Sequence, residues 1–247
     1  MAHFYLAEGL ADSEMGAIVV LEGAEAKHAV SVSRIRVGES LSIGNGAGLV
    51  VTGDVVEAEP ARLALRVDGV SRHPSPSPTI TLAQALAKGG RDESAVQAAT
   101  ELGVDAVVPW AAQRSIARWD ALKRAKGRER WQAIMREASK QSMRPHLPVV
   151  HELETTREIA DRTRSSLVLV LEPSATTDLT AIDFDSVDYA GRDVVLVVGP
   201  EGGVAPQEIE LLAAEGAVPV RLGAGIMRTS TAGPAAIAVL NARLGRW

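Results

Sequence analysis

The sequence predicts an α/β protein in which a small β-rich N-terminal domain precedes a larger domain built on a mostly parallel sheet. Three observations carry this prediction. Short β-branched runs separated by glycine-rich turns fill the first part of the chain, and apolar strand-like runs alternate with helical patterns in the second part. Between them, alternating prolines at residues 73–78 exclude helix and favour an extended spacer. We therefore expect domains at residues 1–72 and 79–247 joined by this linker.

The N-terminal domain is predicted to be mainly β-structure. Its alternating or β-branched runs, which are typical of half-buried strands, lie at residues 16–21, 40–43, 49–56 and 62–67. One helix is predicted at about residues 24–34, and this helix would place Arg34 and Arg36 close to its end.

The C-terminal domain is predicted to contain a parallel sheet that helices cover on both faces, because apolar strand-like runs alternate with helical patterns. These runs lie near residues 79–86, 104–109, 167–171, 194–198 and 217–222. Asp92 can cap a helix that ends at Gly103. A longer helix is predicted at residues 119–142, where apolar residues recur at helical spacing.

Composition excludes several classes of chemistry. The chain has no cysteine, which excludes disulfides, thiolate nucleophiles and thiolate metal sites. Its five histidines show no paired spacing of the kind that binds zinc, so we expect no metal. Without an apolar run of membrane-spanning length or a secretory signal, we expect no membrane association and a cytoplasmic location.

The charges are unevenly distributed along the chain. The net charge is −5, yet residues 114–144 contain ten Lys or Arg and only three acidic residues. A concentrated basic surface on an acidic protein is typical of a phosphate-binding face. A solvated helix face has the same composition, and charge alone favours neither interpretation.

Three segments have the pattern of a strand that ends in a loop able to bind a ligand. The run at 194–198 leads into the glycine-rich loop 199–203 and a helix that opens at Pro206, although the loop matches neither a dinucleotide fingerprint nor a P-loop and by itself indicates only a turn. The run ending at residue 222 leads into a loop before another helix, and the run at 167–171 ends at Glu172. These three loops can converge on one pocket.

Arg228 is unusual in the second of these loops. Thr229, Ser230 or Thr231 can cap the helix that follows, but capping does not explain an arginine immediately before it. Since the helix dipole is unfavourable for a cation at this position, Arg228 indicates an anionic group nearby, which RNA or a carboxylate would supply.

The combination of GPEGG at 199–203 with LGxxIMRTSTA at 222–232 resembles the SPOUT class of methyltransferases. It closely resembles the RsmE family, whose bacterial members methylate N3 of a uridine in small-subunit (16S) ribosomal RNA. Further segments match the pattern of that family in order along essentially the whole chain: HAVSVSRIRVGE at 28–39, KGGR at 88–91, TELG at 100–103, QRS at 113–115 and EASKQSMR at 137–144.

The resemblance implies an N-terminal PUA-like RNA-binding domain and a C-terminal SPOUT domain with a trefoil knot. It also implies the cofactor S-adenosyl-L-methionine, a partner that is ribosomal RNA or the small ribosomal subunit, and a homodimer whose pocket lies near the subunit interface. By position, the cofactor-binding residues are Leu171, Glu172, Pro173, Gly199, Pro200, Glu201, Gly202, Gly203, Leu222, Gly223, Ile226, Met227, Arg228 and Thr231. The chain departs from the family's frequent Arg, Glu and Arg at Gly225, Ser230 and His3, respectively.

The catalytic hypothesis concerns Arg228 and Glu201. A uridine that loses its N3 proton gains negative charge, which Arg228 can stabilise; alternatively, Arg228 binds a phosphate. Glu201 is the nearest candidate for a proton acceptor, unless it only orders its loop. Contacts with RNA phosphates are expected from Arg34, Arg36, Lys88, Arg91, Arg114 and Arg144.

Three other functions are possible for this sequence. A non-enzymatic RNA-binding factor of ribosome assembly is disfavoured by the intact glycine loop. A sister SPOUT methyltransferase would act on another nucleotide. An enzyme of nucleotides or small metabolites is disfavoured by the small β-rich domain and the basic segment.

Overall fold

The computed structural model describes residues 3–247, which form two compact units. The first unit extends to Ser75 and also includes Ser139–Leu147, whereas the second comprises Pro76–Ala138 and Pro148–Trp247. The sequence alone predicts that every residue after 78 belongs to one domain, and for Ser139–Leu147 this prediction is wrong. The grouping has a physical basis in backbone hydrogen bonds, because the Gly48 N–H donates to the Pro145 carbonyl and the Leu147 N–H to the Gly46 carbonyl, both at 2.9 Å.

The first unit contains a five-stranded sheet in the order β1-β3-β4-β5-β2. Its strands are β1 (Phe4–Leu6), β2 (Ile18–Glu22), β3 (Ser40–Gly44), β4 (Leu49–Glu59) and β5 (Arg62–Arg72). The four predicted strands are present, and β1, too short for a periodic signal, was not predicted. Helix α1 (Gly23–Lys27) continues as a π-helical turn to Val32. Alternate strand residues form the core, as Val19, Leu21, Leu63 and Leu65 illustrate.

The second unit contains a six-stranded sheet in the order β11-β9-β10-β6-β7-β8, in which every pairing is parallel. Its strands are β6 (Ile80–Ala85), β7 (Ala106–Trp110), β8 (Val149–Val150), β9 (Ser166–Leu171), β10 (Asp193–Val198) and β11 (Val218–Val220). All five strands predicted for this part are present, and only the two-residue β8 was missed. The predicted fold class of a β-rich N-terminal unit followed by a parallel α/β unit is confirmed.

The helices of the second unit cover both faces of this sheet. They are α2 (Arg91–Glu101), α3 (Ala121–Gln141), which belongs to this unit as far as Ala138, α4 (Thr156–Asp161), α5 (Pro206–Ala214) and α6 (Thr229–Arg243). Helices α2 and α6 pack against each other, as do α4 and α5. Successive strand residues point to opposite faces, so Leu169 packs in the core with Ile237 of α6, while Val170 packs with Leu212 of α5.

The predicted capping residues are wrong for two helices. Gly90, not Asp92, is the N-cap of α2. Asp92 is buried inside the first turn, where its carboxylate accepts a hydrogen bond from the Ala87 N–H at 3.1 Å. Helix α6 has Arg228 at its N-cap, because the hydroxyl of Thr229 makes tertiary hydrogen bonds instead of capping the helix.

None of the helices within residues 3–247 is long and apolar enough to cross a membrane.

Candidate active site

The carboxyl ends of three neighbouring strands form one side of a cavity of about 1020 Å³. Strand β9 lies between β10 and β11, so that Leu171 is paired with Val198 on one side and Val220 on the other. The loops that follow these strands are the three that the sequence analysis identified. The parallel sheet therefore brings them together, as expected for ligand sites in open α/β folds.

Most of the residues predicted to bind the cofactor line this cavity. They are Leu171, Glu172, Pro173, Gly199, Pro200, Glu201, Gly202, Gly203, Leu222, Gly223, Ile226, Met227 and Arg228. Thr231 is the exception, since it is not among the lining residues. It is exposed in the first turn of α6, where its backbone N–H donates to the Arg228 carbonyl at 2.8 Å.

The cavity also has lining residues that the sequence analysis did not assign to the cofactor. They are Arg91, Arg114, Ser174, Val198, Val204, Pro206, Ile209, Glu210, Arg221, Gly225, Thr229 and Ala232. Most flank the predicted loops and could have been found by extending those loops. Arg91 and Arg114 follow β6 and β7 instead, so only the order of strands in the sheet places them here.

The loop at residues 199–203 requires glycine at specific positions. A Cβ atom at Gly199 would lie 2.8 Å from the Cγ2 atom of Val204 and 3.1 Å from its backbone nitrogen. Gly203 has a φ of +72°, a left-handed conformation that side chains disfavour. The glycines therefore let the chain reverse tightly between β10 and α5.

Thr229 connects the glycine loop to the start of α6. Its hydroxyl donates to the Gly199 carbonyl at 2.8 Å and accepts a hydrogen bond from Nε2 of Gln84 at 2.9 Å. Gln84 is completely buried in β6. This network fixes two of the three cavity loops to the sheet.

Glu201 is held by residues of the turn after β6. Its Oε1 accepts a hydrogen bond from Nη1 of Arg91 at 2.9 Å and from the Lys88 N–H at 3.3 Å. Burial by itself would raise the pKa of Glu201, but hydrogen bonds from its own N–H, Arg91 and Lys88, with the charge of Arg91, lower the pKa below its usual value. A lowered pKa makes the carboxylate a weaker base, so this geometry favours loop ordering over proton acceptance.

The side chain of Arg114 contacts the backbone of the same loop and of the residue that follows it. Its Nη1 donates to the Gly202 carbonyl at 3.0 Å and to the Val204 carbonyl at 3.4 Å. Two residues predicted to contact RNA, Arg91 and Arg114, therefore both bind the glycine loop.

The two arginines that flank the loop after β11 differ in their contacts. Arg221 pairs with Asp178 at 2.7 Å, and this hydrogen bond lowers the pKa of the Asp178 carboxyl. Arg228 is exposed at the N-cap of α6. Within residues 3–247, its guanidinium has no hydrogen bond or ion pair. The positive charge of Arg228 is thus available to an anionic ligand.

The remaining predicted RNA contacts lie outside the cavity. Arg34 and Arg36 are exposed in the first unit, and Arg34 has a φ of 59°. Arg144 belongs to the segment Ser139–Leu147 of the same unit and is half-buried. Lys88 is exposed in the turn after β6. The six predicted RNA residues are therefore divided between the two units.

The basic segment at 114–144 is partly neutralised by ion pairs. Arg128 pairs with Glu152 at 2.7 Å, Arg130 with Glu93, and the buried Lys140 with Glu25 at 3.1 Å. The charges of these three residues are therefore compensated within the protein, whereas Arg118, Arg124 and Lys126 are exposed cations. In the part of the chain that the structure describes, no three His, Cys, Asp or Glu side chains cluster as a metal site.

Two family models match this chain. The model described as an RNA methyltransferase domain matches residues 73–241, and the model described as an RNA methyltransferase PUA domain matches residues 21–68. The ribosomal RNA small subunit methyltransferase E of Mycobacterium bovis is 40% identical over 239 residues, which are 95% of this chain and 90% of that protein. The Bacillus subtilis protein of the same name is 29% identical, with 86% and 85% covered.

Solved structures agree with these matches. The ribosomal RNA small subunit methyltransferase E of Neisseria gonorrhoeae, bound to S-adenosyl methionine, has a TM-score of 0.83 with 29% identity over 98% of both chains. A Legionella pneumophila protein in complex with the cofactor SAM has a TM-score of 0.84 with 28% identity over 98% of both chains. The predicted SPOUT and PUA-like folds are therefore confirmed. The chain belongs to the ribosomal RNA small subunit methyltransferase E family, as its motifs indicated.

Proposed function

We propose that this protein uses S-adenosylmethionine to methylate N3 of a specific uridine in small-subunit ribosomal RNA. The observation that carries the proposal is the cavity at the ends of β9, β10 and β11, which is built from the loops that contain the family's motifs. The choice of N3 depends on membership of the family. We propose that the protein acts in the cytoplasm, where small-subunit ribosomal RNA is located.

The residues of the cavity fit S-adenosylmethionine. The loop Gly199–Gly203 lets a ligand approach the backbone, because three of its five residues have no side chain. Leu171, Leu222 and Met227 provide apolar surface for the adenosine group. When bound, the cofactor supplies a methyl group activated by its sulfonium. We propose that the three loops hold the cofactor, together with Thr231 beside the loop after β11.

Catalysis by this chain would depend mainly on positioning. A neutral uridine N3 is a poor nucleophile, and transfer of its proton to solvent water leaves negative charge on the base. We assign stabilisation of that charge to Arg228, whose guanidinium faces no carboxylate partner within residues 3–247. We assign Glu201 to ordering of the loop, since its carboxylate already accepts hydrogen bonds from Arg91 and Lys88.

The proposed RNA-binding groups are the cations outside the cavity. Arg34, Arg36 and Arg144 would contact phosphates from the PUA-like unit, and Lys88 from the methyltransferase unit. Their partner would be ribosomal RNA or the small ribosomal subunit, because phosphate contacts supply most of the sequence-independent affinity for RNA.

We also propose a homodimer. The proposal rests on membership of the family, and Ile226, which is 84% exposed in the loop after β11, is the apolar side chain that we expect the partner to cover. Sedimentation equilibrium should give twice the chain mass of 26.0 kDa. A mass of one chain at micromolar concentration would contradict the dimer.

The test of the proposed function is to incubate the protein with isotope-labelled S-adenosylmethionine and small ribosomal subunits that lack the modification. Mass spectrometry then maps the labelled nucleotide. Label on N3 of one uridine is expected. Label on another nucleotide would retain the enzyme class but reject the uridine assignment. If the protein neither bound S-adenosylmethionine nor labelled any nucleotide, the result would favour a non-enzymatic RNA-binding factor.

A further inference from the structure

We propose that Arg91 and Arg114 are positioning residues that hold the glycine loop Gly199–Gly203 in the shape that binds S-adenosylmethionine. In this role they do not serve as contacts for RNA phosphates. The inference rests on the proposed function of the cavity. It assigns a specific contribution to two arginines that follow β6 and β7, whereas the loop itself follows β10.

The first contact is made by the turn between β6 and α2. Arg91 and the backbone N–H of Lys88 both donate to the Glu201 carboxylate, at 2.9 and 3.3 Å. The turn is itself fixed, because the buried carboxylate of Asp92 accepts hydrogen bonds from the Ala87 N–H at 3.1 Å and the Glu93 N–H at 2.9 Å. Glu201 is thus held by a turn that is anchored to the protein interior.

The second contact comes from the segment after β7. Arg114 donates to the carbonyls of Gly202 and Val204, at 3.0 and 3.4 Å. The neighbouring Gln113 N–H donates at 2.9 Å to Glu208, which is 7% exposed. Glu208 also accepts from the Ala205 N–H at 3.2 Å. One buried carboxylate therefore fixes both the base of Arg114 and the start of the helix that follows the loop.

A glycine loop needs such restraint. Three of its five residues are glycine, which loses more conformational freedom on ordering than any other residue. Within the loop, the backbone makes a hydrogen bond from Gly203 to Pro200 at 2.9 Å. If external contacts did not order the rest, cofactor binding would have to do so and would be weaker.

The same contacts oppose phosphate binding by compensating the charge of Arg91 and by directing the Nη1 hydrogens of Arg114, whose charge stays uncompensated, toward the protein. The charge of Arg91 is compensated by Glu201, so the pair would release few counterions on binding RNA. Arg114 directs its Nη1 hydrogens to two protein carbonyls. Both residues should therefore influence affinity for the cofactor more than the electrostatics of RNA binding.

The experiment compares Arg91→Ala and Arg114→Ala with the control Arg118→Ala, which removes an exposed cation from the same basic segment. Calorimetry of the full-length protein measures the Kd for S-adenosylmethionine. Binding of 16S ribosomal RNA is measured over a range of salt concentrations. Each loop variant should bind the cofactor about tenfold more weakly, as expected for loss of a hydrogen bond to a charged group or of two to carbonyls. The slope of RNA affinity against salt should not change, and the control should retain the wild-type cofactor Kd.

Two further variants separate a positioning role from general destabilisation. Arg91→Lys keeps a charge that can reach Glu201 and should restore much of the cofactor affinity. The double variant Arg91→Ala/Glu201→Ala should bind no more weakly than the weaker of its two single variants, because residues that act through one contact are not additive. Simple additivity of the two effects would contradict the shared contact.

The inference fails if the wild-type protein binds S-adenosylmethionine and both alanine variants bind it with the same Kd. A salt slope reduced by about 0.7 to 0.9 for each arginine would instead identify them as phosphate contacts. Absence of cofactor binding by the wild-type protein would overturn the proposed function as well, so the two failures are distinguishable.

Discussion

Arg228 occupies a position where a cation is unfavourable unless an anion is near it. It immediately precedes the first turn of α6, where the helix dipole presents partial positive charge. Arg221, in the strand end just before the same loop, has its charge compensated by Asp178. Within residues 3–247, Arg228 has no such compensation. An uncompensated charge at this site is most useful if negative charge develops on the bound substrate.

We therefore expect Arg228→Ala to reduce kcat by about 10²-fold or more, the size of effect seen when a donor to a developing anion is removed. RNA affinity should change much less, since a single phosphate contact contributes little to a large interface. Single-turnover methylation gives the rate, and binding to unmodified small subunits gives the affinity. Lys126→Ala, which removes an exposed cation from α3, is the control and should keep the wild-type rate.

The opposite pattern would reject the catalytic assignment of Arg228. If turnover at saturating RNA were intact and only RNA affinity fell, the residue would be a phosphate ligand. The sequence cannot distinguish the two roles, because a catalytic arginine and a phosphate-binding arginine would have the same motif and the same charge.

At the scale of elements, the sequence predicted helices and strands better than it predicted how their ends are held. The apolar runs identified β6, β7, β9, β10 and β11, because strands that helices cover on both faces are rich in apolar residues. The hydroxyl of Thr229 was expected to cap α6, yet it bonds to Gln84 and Gly199. Capping is a local property, whereas these partners are 145 and 30 residues away in sequence and depend on the assembled sheet.

We expect Thr229→Val to lower the free energy of unfolding by about 1–3 kcal/mol, because the buried amide of Gln84 keeps only the Ala85 carbonyl as acceptor and the Gly199 carbonyl loses this donor. Urea denaturation measures the change. The control Thr180→Val makes the same substitution at an exposed residue and should stay within about 0.5 kcal/mol of wild type. Equal effects of the two substitutions would mean that the Thr229 network adds no stability.

For the whole molecule, the order of motifs along the chain was enough to indicate the family and the three loops of the cavity. Parallel strands place their carboxyl ends on one edge, so loops after β9, β10 and β11 had to meet if those strands were neighbours. The grouping of Ser139–Leu147 with the N-terminal unit could not be predicted, because it depends on backbone hydrogen bonds to Gly46 and Gly48. Arg91 and Arg114 looked like RNA ligands in the sequence, because their contacts with the glycine loop also form only in the folded chain.

Electrostatics should therefore separate two groups of arginines that the sequence placed together. Arg34 and Arg36 are exposed in the PUA-like unit, whereas Arg91 and Arg114 bind the glycine loop. RNA affinity depends on salt through the number of phosphates that the protein neutralises. Only the first group should contribute to that number.

The variant Arg34→Asn/Arg36→Gln tests this assignment. Asparagine suits position 34 because it tolerates the left-handed backbone, where φ is 59°. We expect the slope of log affinity against log salt to fall by about 1.4 to 1.8 for two lost phosphate contacts, with no change in the Kd for S-adenosylmethionine. Arg66→Gln, an exposed cation on β5 of the same unit, is the control and should leave the slope unchanged. An unaltered slope in the double variant would exclude Arg34 and Arg36 from the RNA contact and transfer that role to other cations, with Arg144 and Lys88 the next to replace.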